Sequence, residues 1–210
     1  MKQLFFLSGL GADKRVFNFL DLPGYKMNYI SWVETVPGES MNDYARRLLP
    51  QINSTNPVLI GVSFGGMIAL EIAQLINVEM IILISSATSP KSIPVYFKLF
   101  ETLNIRRLVP ANSIRRPNQL LFWLFGVSEK EHKALLTAIM ADTDESFFAW
   151  AVESIMLWKG NNPSCKLVQI HGTRDRILNF GSADYALAGG HLIVVTNAKE
   201  VSEILQSVLK

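Results

Sequence analysis

Runs of strand-forming residues alternate with helical patterns over residues 1–90, and this alternation restricts the possible folds more than any other feature of the chain. The strand-like runs are short and mostly apolar, and they occupy residues 3–7, 27–32, 58–62 and 80–84. Helical patterns lie between them: Ser40 and Asp43 have the spacing of a helix start before residues 44–49, and residues 67–75 carry apolar side chains at helical spacing. Strands separated by helices predict a compact α/β fold, with a mostly parallel sheet covered by helices on both faces.

The alternation stops over residues 88–162, where the pattern is that of several amphipathic helices. Breaks between these helices are expected at Pro110, Pro117, residues 126–128 and Gly160. This segment predicts an all-helical insertion.

The α/β pattern returns after the insertion. Residues 166–170 form a further strand-like run, and the chain ends with a helical pattern over residues 201–209, for which Asn197 and Glu200 are expected to form a capping box. We therefore expect residues 1–87 and 163–210 to build an α/β core and residues 88–162 to build the insertion.

Charge and cysteine content limit the classes of partner and cofactor. The 210 residues include 20 basic and 18 acidic side chains, a net charge of +2, so no global field favours nucleic acid. The single cysteine, Cys165, excludes an internal disulfide framework, and no Cys/His cluster has metal-ligand spacing. We expect no metal or cofactor, no nucleic-acid partner and a cytoplasmic location.

Two short apolar segments have some features of a signal peptide or of a membrane span. Residues 1–12 could pass for a signal peptide, but Ser8 and Gly9 interrupt the apolar run and a first strand explains it better. Residues 120–125 form the nearest candidate for a membrane span, yet they fall far short of the ~18 apolar residues that a span requires. We expect no membrane span.

The sequence Gly61-Val-Ser63-Phe-Gly65 falls where a strand meets a helix. A serine on a tight, strained turn there would project its hydroxyl above the end of the sheet, and small residues at Gly61 and Gly65 would let strand and helix pass closely. The alternative is a glycine-rich turn with an incidental serine, which a five-residue match alone does not exclude.

A reactive serine needs an imidazole as base and a carboxylate that orients the imidazole. His191 stands on a glycine-rich loop near the C-terminus and is the best candidate for the base. His132 lies in a charged helical pattern, where we expect it to be solvated, and His171 ends a strand, where we expect it to pack or to hydrogen-bond behind the site.

The best candidate for the orienting acid is Asp175. It follows the strand at residues 166–170 and therefore belongs to the same carboxyl edge of the sheet as Ser63. A turn-capping role is the alternative for this aspartate. The other aspartates that compete on residue type follow no evident strand: Asp142, Asp144 and Asp184.

With these residues in place, the sequence resembles the α/β-hydrolase superfamily over nearly its whole length. Residues 61–66 are similar to the nucleophile elbow of that family, residues 171–175 to its acid loop, and Gly190-His191 with Glu200-Val201 to its histidine loop and last helix. Ser63, Asp175 and His191 also follow the family order. The resemblance implies an α/β-hydrolase fold in which residues 88–162 form a helical cap over Ser63.

The resemblance also implies an oxyanion hole made of two backbone N–H groups, those of Leu10 and Phe64. Ser8 stands where the family often has the histidine of a His-Gly pair, and since the donors are backbone groups this departure need not abolish the hole.

The short connection between Asp175 and His191 leaves two interpretations of the last strand. If residues 192–195 form it, as their β-branched run suggests, His191 begins that strand at the amino edge and cannot reach Ser63. If residues 184–187 form it, His191 lies beyond the carboxyl end and residues 192–195 pack beneath the site. We favour the second interpretation, which predicts an unusually short crossover over residues 173–182.

The insertion is rich in aromatic and basic residues, which suggests a pocket for an apolar acyl or alcohol group, although most rings are expected to hold its helices together. The aromatic residues are Tyr96, Phe97, Phe100, Phe122, Trp123, Phe125, Phe147, Phe148, Trp150 and Trp158. The basic residues, which suggest an anionic substrate or more simply a solvated face, are Lys91, Lys98, Arg106, Arg107, Arg115, Arg116, Lys130 and Lys133.

The leading hypothesis is a serine hydrolase that cleaves an ester or thioester of a small, partly apolar molecule without a cofactor. An acyltransferase or carbon–carbon bond hydrolase with the same residues, and a non-enzymatic ligand-binding protein on this scaffold, stay open as alternatives. The sequence leaves the acyl length and the oligomeric state undetermined.

Overall fold

A computed structural model describes residues 1–94 and 118–210. Six strands form one sheet in the order β2-β1-β3-β4-β5-β6, and every neighbouring pair is parallel. The strands are β1 Lys2–Leu7, β2 Tyr25–Tyr29, β3 Val58–Val62, β4 Met80–Ile84, β5 Lys166–Gly172 and β6 Tyr185–Leu187. The strand predicted at residues 27–32 is thus shifted towards the N-terminus.

The described helices, numbered in chain order, are α1 Met41–Leu48, α2 Phe64–Ile72, α3 Gln119–Phe125, α4 Lys130–Ala141, α5 Glu145–Leu157, α6 Ile193–Thr196 and α7 Ala198–Val208. Ser40 starts α1 as predicted, because its hydroxyl accepts a hydrogen bond from the backbone N–H of Asp43 at 3.1 Å. The capping box predicted for α7 is wrong. Asn197 does precede α7, but its side chain makes no cap bond and instead contacts the Glu200 side chain at 3.4 Å.

Apolar residues alternate between the two faces of the sheet, as the two-residue period of a strand requires. Leu4 and Phe6 of β1 belong to one core cluster, whereas Phe5 and Leu7 belong to the other. Helices α6 and α7 cover the first face, and α1 and α2 cover the second. The predicted parallel sheet with helices on both faces is confirmed.

The last strand is β6, at Tyr185–Leu187, and the apolar run after it forms the short helix α6 instead. The favoured interpretation is therefore confirmed and the strand at residues 192–195 is wrong. Residues 173–184, which join β5 to β6, contain turns and bends but no helix. This connection is at the lower limit of the dozen or so residues that a parallel crossover needs, and it keeps the loop after β5 close to the loop after β6.

Helices α3, α4 and α5 lie in the segment predicted to be a helical insertion, and the break predicted at residues 126–128 separates α3 from α4. The breaks predicted at Pro110 and Pro117 lie outside the described residues. Over residues 1–94 and 118–210, no helix is long and apolar enough to cross a membrane.

Candidate active site

Ser63 occupies a strained turn between β3 and α2. Its backbone φ of 51° and ψ of −120° lie in a region that L residues rarely adopt. Its N–H donates to Ile84 O at 3.0 Å, and its carbonyl accepts from Gly66 N at 2.9 Å and from the Ser86 hydroxyl at 2.6 Å. Within residues 58–72, Ser63 is the one residue that is not buried. The turn therefore leaves Ser63 partly exposed to solvent, while the residues around it are buried.

The glycines around Ser63 are required by close backbone contacts. A Cβ on Gly61 would lie 2.4 Å from Gly66 Cα, and a Cβ on Gly65 would lie 2.3 Å from the carbonyl oxygens of Leu7 and Ser8. Both distances are shorter than any ordinary carbon contact, so a side chain would force the backbone segments apart. The glycine pattern of the sequence thus reflects the packing of α2 on β3 and on the end of β1.

The structure brings Ser63, His191 and Asp175 together at the carboxyl edge of the sheet. His191 Nε2 lies 2.9 Å from Ser63 Oγ, and His191 Nδ1 lies 2.7 Å from Asp175 Oδ2. The His191 side chain is only 4% exposed, and the Asp175 side chain is fully buried. A buried carboxylate beside Nδ1 favours the tautomer in which Nε2 is free to accept the serine proton.

Several groups hold Asp175 as an anion. Burial raises the pKa of its carboxyl, but the charge of His191, the imidazoles of His171 and His191, and the backbone N–H of Leu178 outweigh burial and lower the pKa below its ordinary value. Oδ1 accepts hydrogen bonds from the N–H groups of Ile177 and Leu178 at 2.8 and 3.0 Å. Asp175 is therefore oriented on both oxygens.

His171 lies behind the site, as predicted. Its buried Nε2 is 3.0 Å from Asp175 Oδ2, in a direction poor for a hydrogen bond, and has no hydrogen-bond partner among the described residues. The carboxylate oxygen of Asp175 thus has an imidazole on each side.

The other candidates have different partners. His132 packs edge-on against Phe19, with ring centroids 5.5 Å apart, and its side chain is only 12% exposed, so the prediction that it is solvated is wrong. The competing aspartates bind elsewhere: Asp142 pairs with Arg15, Asp144 caps α5, and Asp184 accepts from Gln169 N.

The loop after β1, residues 8–13, is called the β1 loop. A Cβ on Gly9 would lie 3.4 Å from Ser63 Cβ, so this loop runs directly beside the candidate nucleophile. Its turn is closed by three bonds: Ala12 N donates to Gly9 O at 3.1 Å, and Ala12 O accepts from the Ser8 hydroxyl at 2.8 Å and from Trp32 Nε1 at 3.2 Å. Of the two residues predicted to form the oxyanion hole, Leu10 lies in this loop and Phe64 begins α2, directly after Ser63.

Helix α3 contacts the loop that carries His191. Phe125 O accepts a hydrogen bond from Leu192 N at 3.1 Å, and the Phe125 ring stands edge-on to the His191 imidazole with centroids 5.7 Å apart. A Cβ on Gly126 would lie 2.6 Å from Gly190 Cα, so the two loops touch through their backbones.

Most described aromatic rings of the segment are packed rather than free. Phe147 and Trp150 join Trp32, Tyr44 and Phe64 in one ring cluster, while Trp123 is 54% exposed and stacks on the Arg176 guanidinium at 4.2 Å. The remaining predicted aromatic and basic residues Tyr96, Phe97, Phe100, Lys98, Arg106, Arg107, Arg115 and Arg116 lie outside the described residues.

Sequence reasoning missed two polar residues of this region. Ser86, which binds the Ser63 carbonyl, is the second residue after β4, and its position at the same sheet edge was the available signal. Glu71, a buried acid in an otherwise apolar helical pattern, accepts from Asn42 and Trp158. Over residues 1–94 and 118–210, no group of three or more His, Cys, Asp or Glu side chains is placed to hold a metal ion.

The sequence matches the Alpha/beta hydrolase family over residues 3–203. The chain belongs to this family. The match covers the elbow, the acid loop and the histidine loop, and it confirms both the predicted fold family and the prediction of an α/β-hydrolase enzyme.

Solved structures of other α/β-hydrolases share the fold. An esterase from Exiguobacterium antarcticum gives a TM-score of 0.77 at 16% identity, over 99% of this chain and 91% of its own. A thermophilic esterase from Thermogutta terrifontis gives 0.74 at 16% identity, over 100% and 89%. An enol-lactonase from Burkholderia xenovorans gives 0.70 at 15% identity, over 99% and 91%. No curated protein sequence matches the chain significantly.

Proposed function

We propose that this α/β-hydrolase cleaves a carboxylic ester or thioester of a small, partly apolar molecule through an acyl-enzyme. The observation that carries the proposal is the continuous contact from Asp175 through His191 to Ser63, with steps of 2.7 and 2.9 Å. This is the arrangement that turns a weakly nucleophilic hydroxyl into an attacking group.

In the proposed reaction, Ser63 Oγ attacks the acyl carbon while His191 Nε2 takes the serine proton. The new oxyanion is stabilised by the N–H groups of Leu10 and Phe64, and loss of one such donor typically lowers the rate about a hundredfold or more. The tetrahedral intermediate collapses, the bond to the alcohol or thiol breaks, and His191 delivers its proton to that leaving group. Water then repeats the sequence on the acyl-enzyme and releases the acid.

The folded-state environment supports each role. Asp175 is fully buried and keeps its anionic form, so it can stabilise the imidazolium that forms during attack. The rings of Phe125 and Phe147 in the proposed cap, residues 88–162, belong to an aromatic surrounding of the site. Such a surrounding suits an apolar acyl or alcohol group. The esterases and the lactonase of the same fold act on related bonds, as their names state.

Intact-protein mass after exposure to a fluorophosphonate tests the proposal. We expect a single adduct on the wild type, no adduct on Ser63→Ala, and strongly slowed labelling of His191→Ala. A folded wild type that forms no adduct and hydrolyses no ester would contradict the proposal and favour a ligand-binding protein. Turnover that rises on addition of an acceptor alcohol, with the ester as product, would indicate an acyltransferase instead.

A further inference from the structure

The turn between α4 and α5 contacts the β1 loop, which carries Leu10. The Thr143 hydroxyl, in this turn, lies 3.1 Å from two acceptors, the Gly11 carbonyl and the Ile139 carbonyl, and its single hydrogen is shared between them. The two segments are 132 residues apart in the chain, so the contact belongs to the tertiary fold. It joins the proposed cap to the loop of the proposed oxyanion hole.

The backbone conformation of Gly11 and its lack of a side chain allow this contact. Its φ of +67° is the left-handed conformation that favours glycine, and a Cβ there would lie 3.2 Å from Thr143 Oγ1. The Thr143 side chain therefore packs against the backbone of Gly11 as well as binding its carbonyl. Leu10 immediately precedes Gly11, so a fixed Gly11 carbonyl restricts the backbone of the loop that carries the Leu10 N–H.

A second link lies beside the first. Arg15 Nη2 binds Asp13 at 2.6 Å within the β1 loop and Asp142 at 2.7 Å in the turn. The Asp142 side chain is 65% exposed, so solvent screens this ion pair and it contributes little. Thr143 is the partly buried link, and the carbonyl that it contacts belongs to the residue after Leu10.

We propose that Thr143 is a positioning residue for the oxyanion hole: its hydroxyl holds the Gly11 carbonyl so that the Leu10 N–H points at the developing oxyanion. The α4–α5 turn then contributes to catalysis through its contact with the β1 loop. This inference rests on the proposed function.

Three variants test the role of the hydroxyl. Thr143→Val removes it from a side chain of similar size, and Thr143→Ser restores it. Thr137→Val is the matched control, because the Thr137 hydroxyl donates to Lys133 O at 2.8 Å within α4 and this residue is exposed. The substrate is p-nitrophenyl acetate, whose small acyl group makes few contacts with a cap.

We expect Thr143→Val to lower kcat about fivefold with KM within about twofold, since the net value of a neutral hydrogen bond corresponds to a factor of this size. Thr143→Ser and Thr137→Val should keep wild-type kcat. Equal loss in Thr143→Val and Thr143→Ser, or a raised KM at unchanged kcat, would overturn the proposal, because the hydroxyl would then not act on the transition state.

A second readout reports on the oxyanion itself. Ser63 adds to the carbonyl carbon of a trifluoromethyl ketone such as 1,1,1-trifluoroheptan-2-one, its proton moves to His191, and the carbonyl oxygen becomes an oxyanion in the hole. The inhibition constant should rise about fivefold in Thr143→Val and stay unchanged in Thr137→Val. A wild type that neither turns over the ester nor binds the ketone would refute the proposed function, whereas an active wild type with an unaffected Thr143→Val variant would refute this inference alone.

Discussion

Substitution of Glu71 tests which interactions hold the residues after α5 against α2, the helix that follows Ser63. It is buried in α2, with 6% of its surface exposed. Oε1 accepts from Trp158 Nε1 at 2.8 Å and from Asn161 Nδ2, and Oε2 accepts from Asn42 Nδ2 at 3.0 Å. One carboxylate thus joins α1, α2 and the residues after α5 through three neutral donors.

Replacing Glu71 with leucine should destabilise the protein by about 3 kcal/mol. The change leaves three donors without their acceptor, and an unsatisfied buried donor costs about 1–3 kcal/mol. The cost should be at the upper end of this range for Trp158, which is buried, and at the lower end for the two asparagines, which water can reach. Release of the buried carboxylate offsets part of this sum. For a chain of this size the melting temperature should fall by about 9 °C.

Glu71→Gln should cost less than about 1 kcal/mol. The glutamine oxygen can occupy the position of Oε1 and keep both bonds to Trp158 and Asn161. Its amide nitrogen then faces Asn42, whose own amide can rotate to present its oxygen. The two variants therefore separate the loss of acceptors from the loss of charge.

The assay is urea unfolding followed by circular dichroism, with the melting temperature as a second measure. Glu203→Leu, an exposed glutamate in α7, is the matched control for a glutamate-to-leucine change in a helix and should stay within about 0.5 kcal/mol of the wild type. If Glu71→Gln is as damaging as Glu71→Leu, the reasoning from acceptor count is refuted and the charge itself is responsible.

Three further outcomes are expected. Asp175→Asn should lower kcat/KM for an ester by about 10³–10⁴, because the amide favours the wrong His191 tautomer. Folding lowers the pKa of Asp175, so the stability advantage of the wild type over this variant should be present at pH 7 and lost as pH falls below about 4. Urea unfolding at several pH values measures this advantage, and an advantage that grows in acid would contradict the prediction. Gly126→Ala should reduce kcat and stability together, because φ at Gly126 is 72° and a Cβ there would lie 2.6 Å from Gly190 Cα, next to His191. Unchanged fluorophosphonate labelling would argue against a role of Gly126 in holding His191. His171→Phe should lower kcat/KM about fivefold, because it removes the ring nitrogen that lies 3.0 Å from Asp175 Oδ2 and helps to lower the pKa of that carboxyl. His171→Gln, which keeps a polar group beside Asp175, should retain more activity in the same assay, and equal losses would assign the effect to packing.

Much of the framework could be predicted from the sequence because it is encoded locally. The strands β1, β3 and β4 are short apolar runs bounded by turn residues, and their positions were predicted to within a residue. Ser63 could be singled out because glycines at Gly61 and Gly65 are needed wherever a strand and a helix pass so closely. Such signals depend on a few neighbouring residues and not on the rest of the chain.

Predictions that depended on side-chain surroundings were less successful. His132 lies in a charged pattern, but the ring of Phe19, distant in sequence, covers it. Asn197 has the residue type of a cap, yet its side chain turns to Thr196 and Glu200 instead. For His132 a ring from a distant part of the chain decided the contact, whereas for Asn197 the choice lay between partners within the local sequence, and the side chains won over the backbone N–H.

The sequence by itself determined the order of strands and helices up to β5 outside the insertion, and it determined the strained turn at Ser63, because periodicity and glycine content act over a few residues. Only the tertiary structure decided which histidine meets that serine, since the contact joins residues 128 positions apart and depends on where the last strand ends. The apolar residues 193–195 satisfy a buried helix and a buried strand equally well. Packing beneath the sheet edge selected the helix, and this choice placed His191 beside Ser63 instead of at the opposite edge.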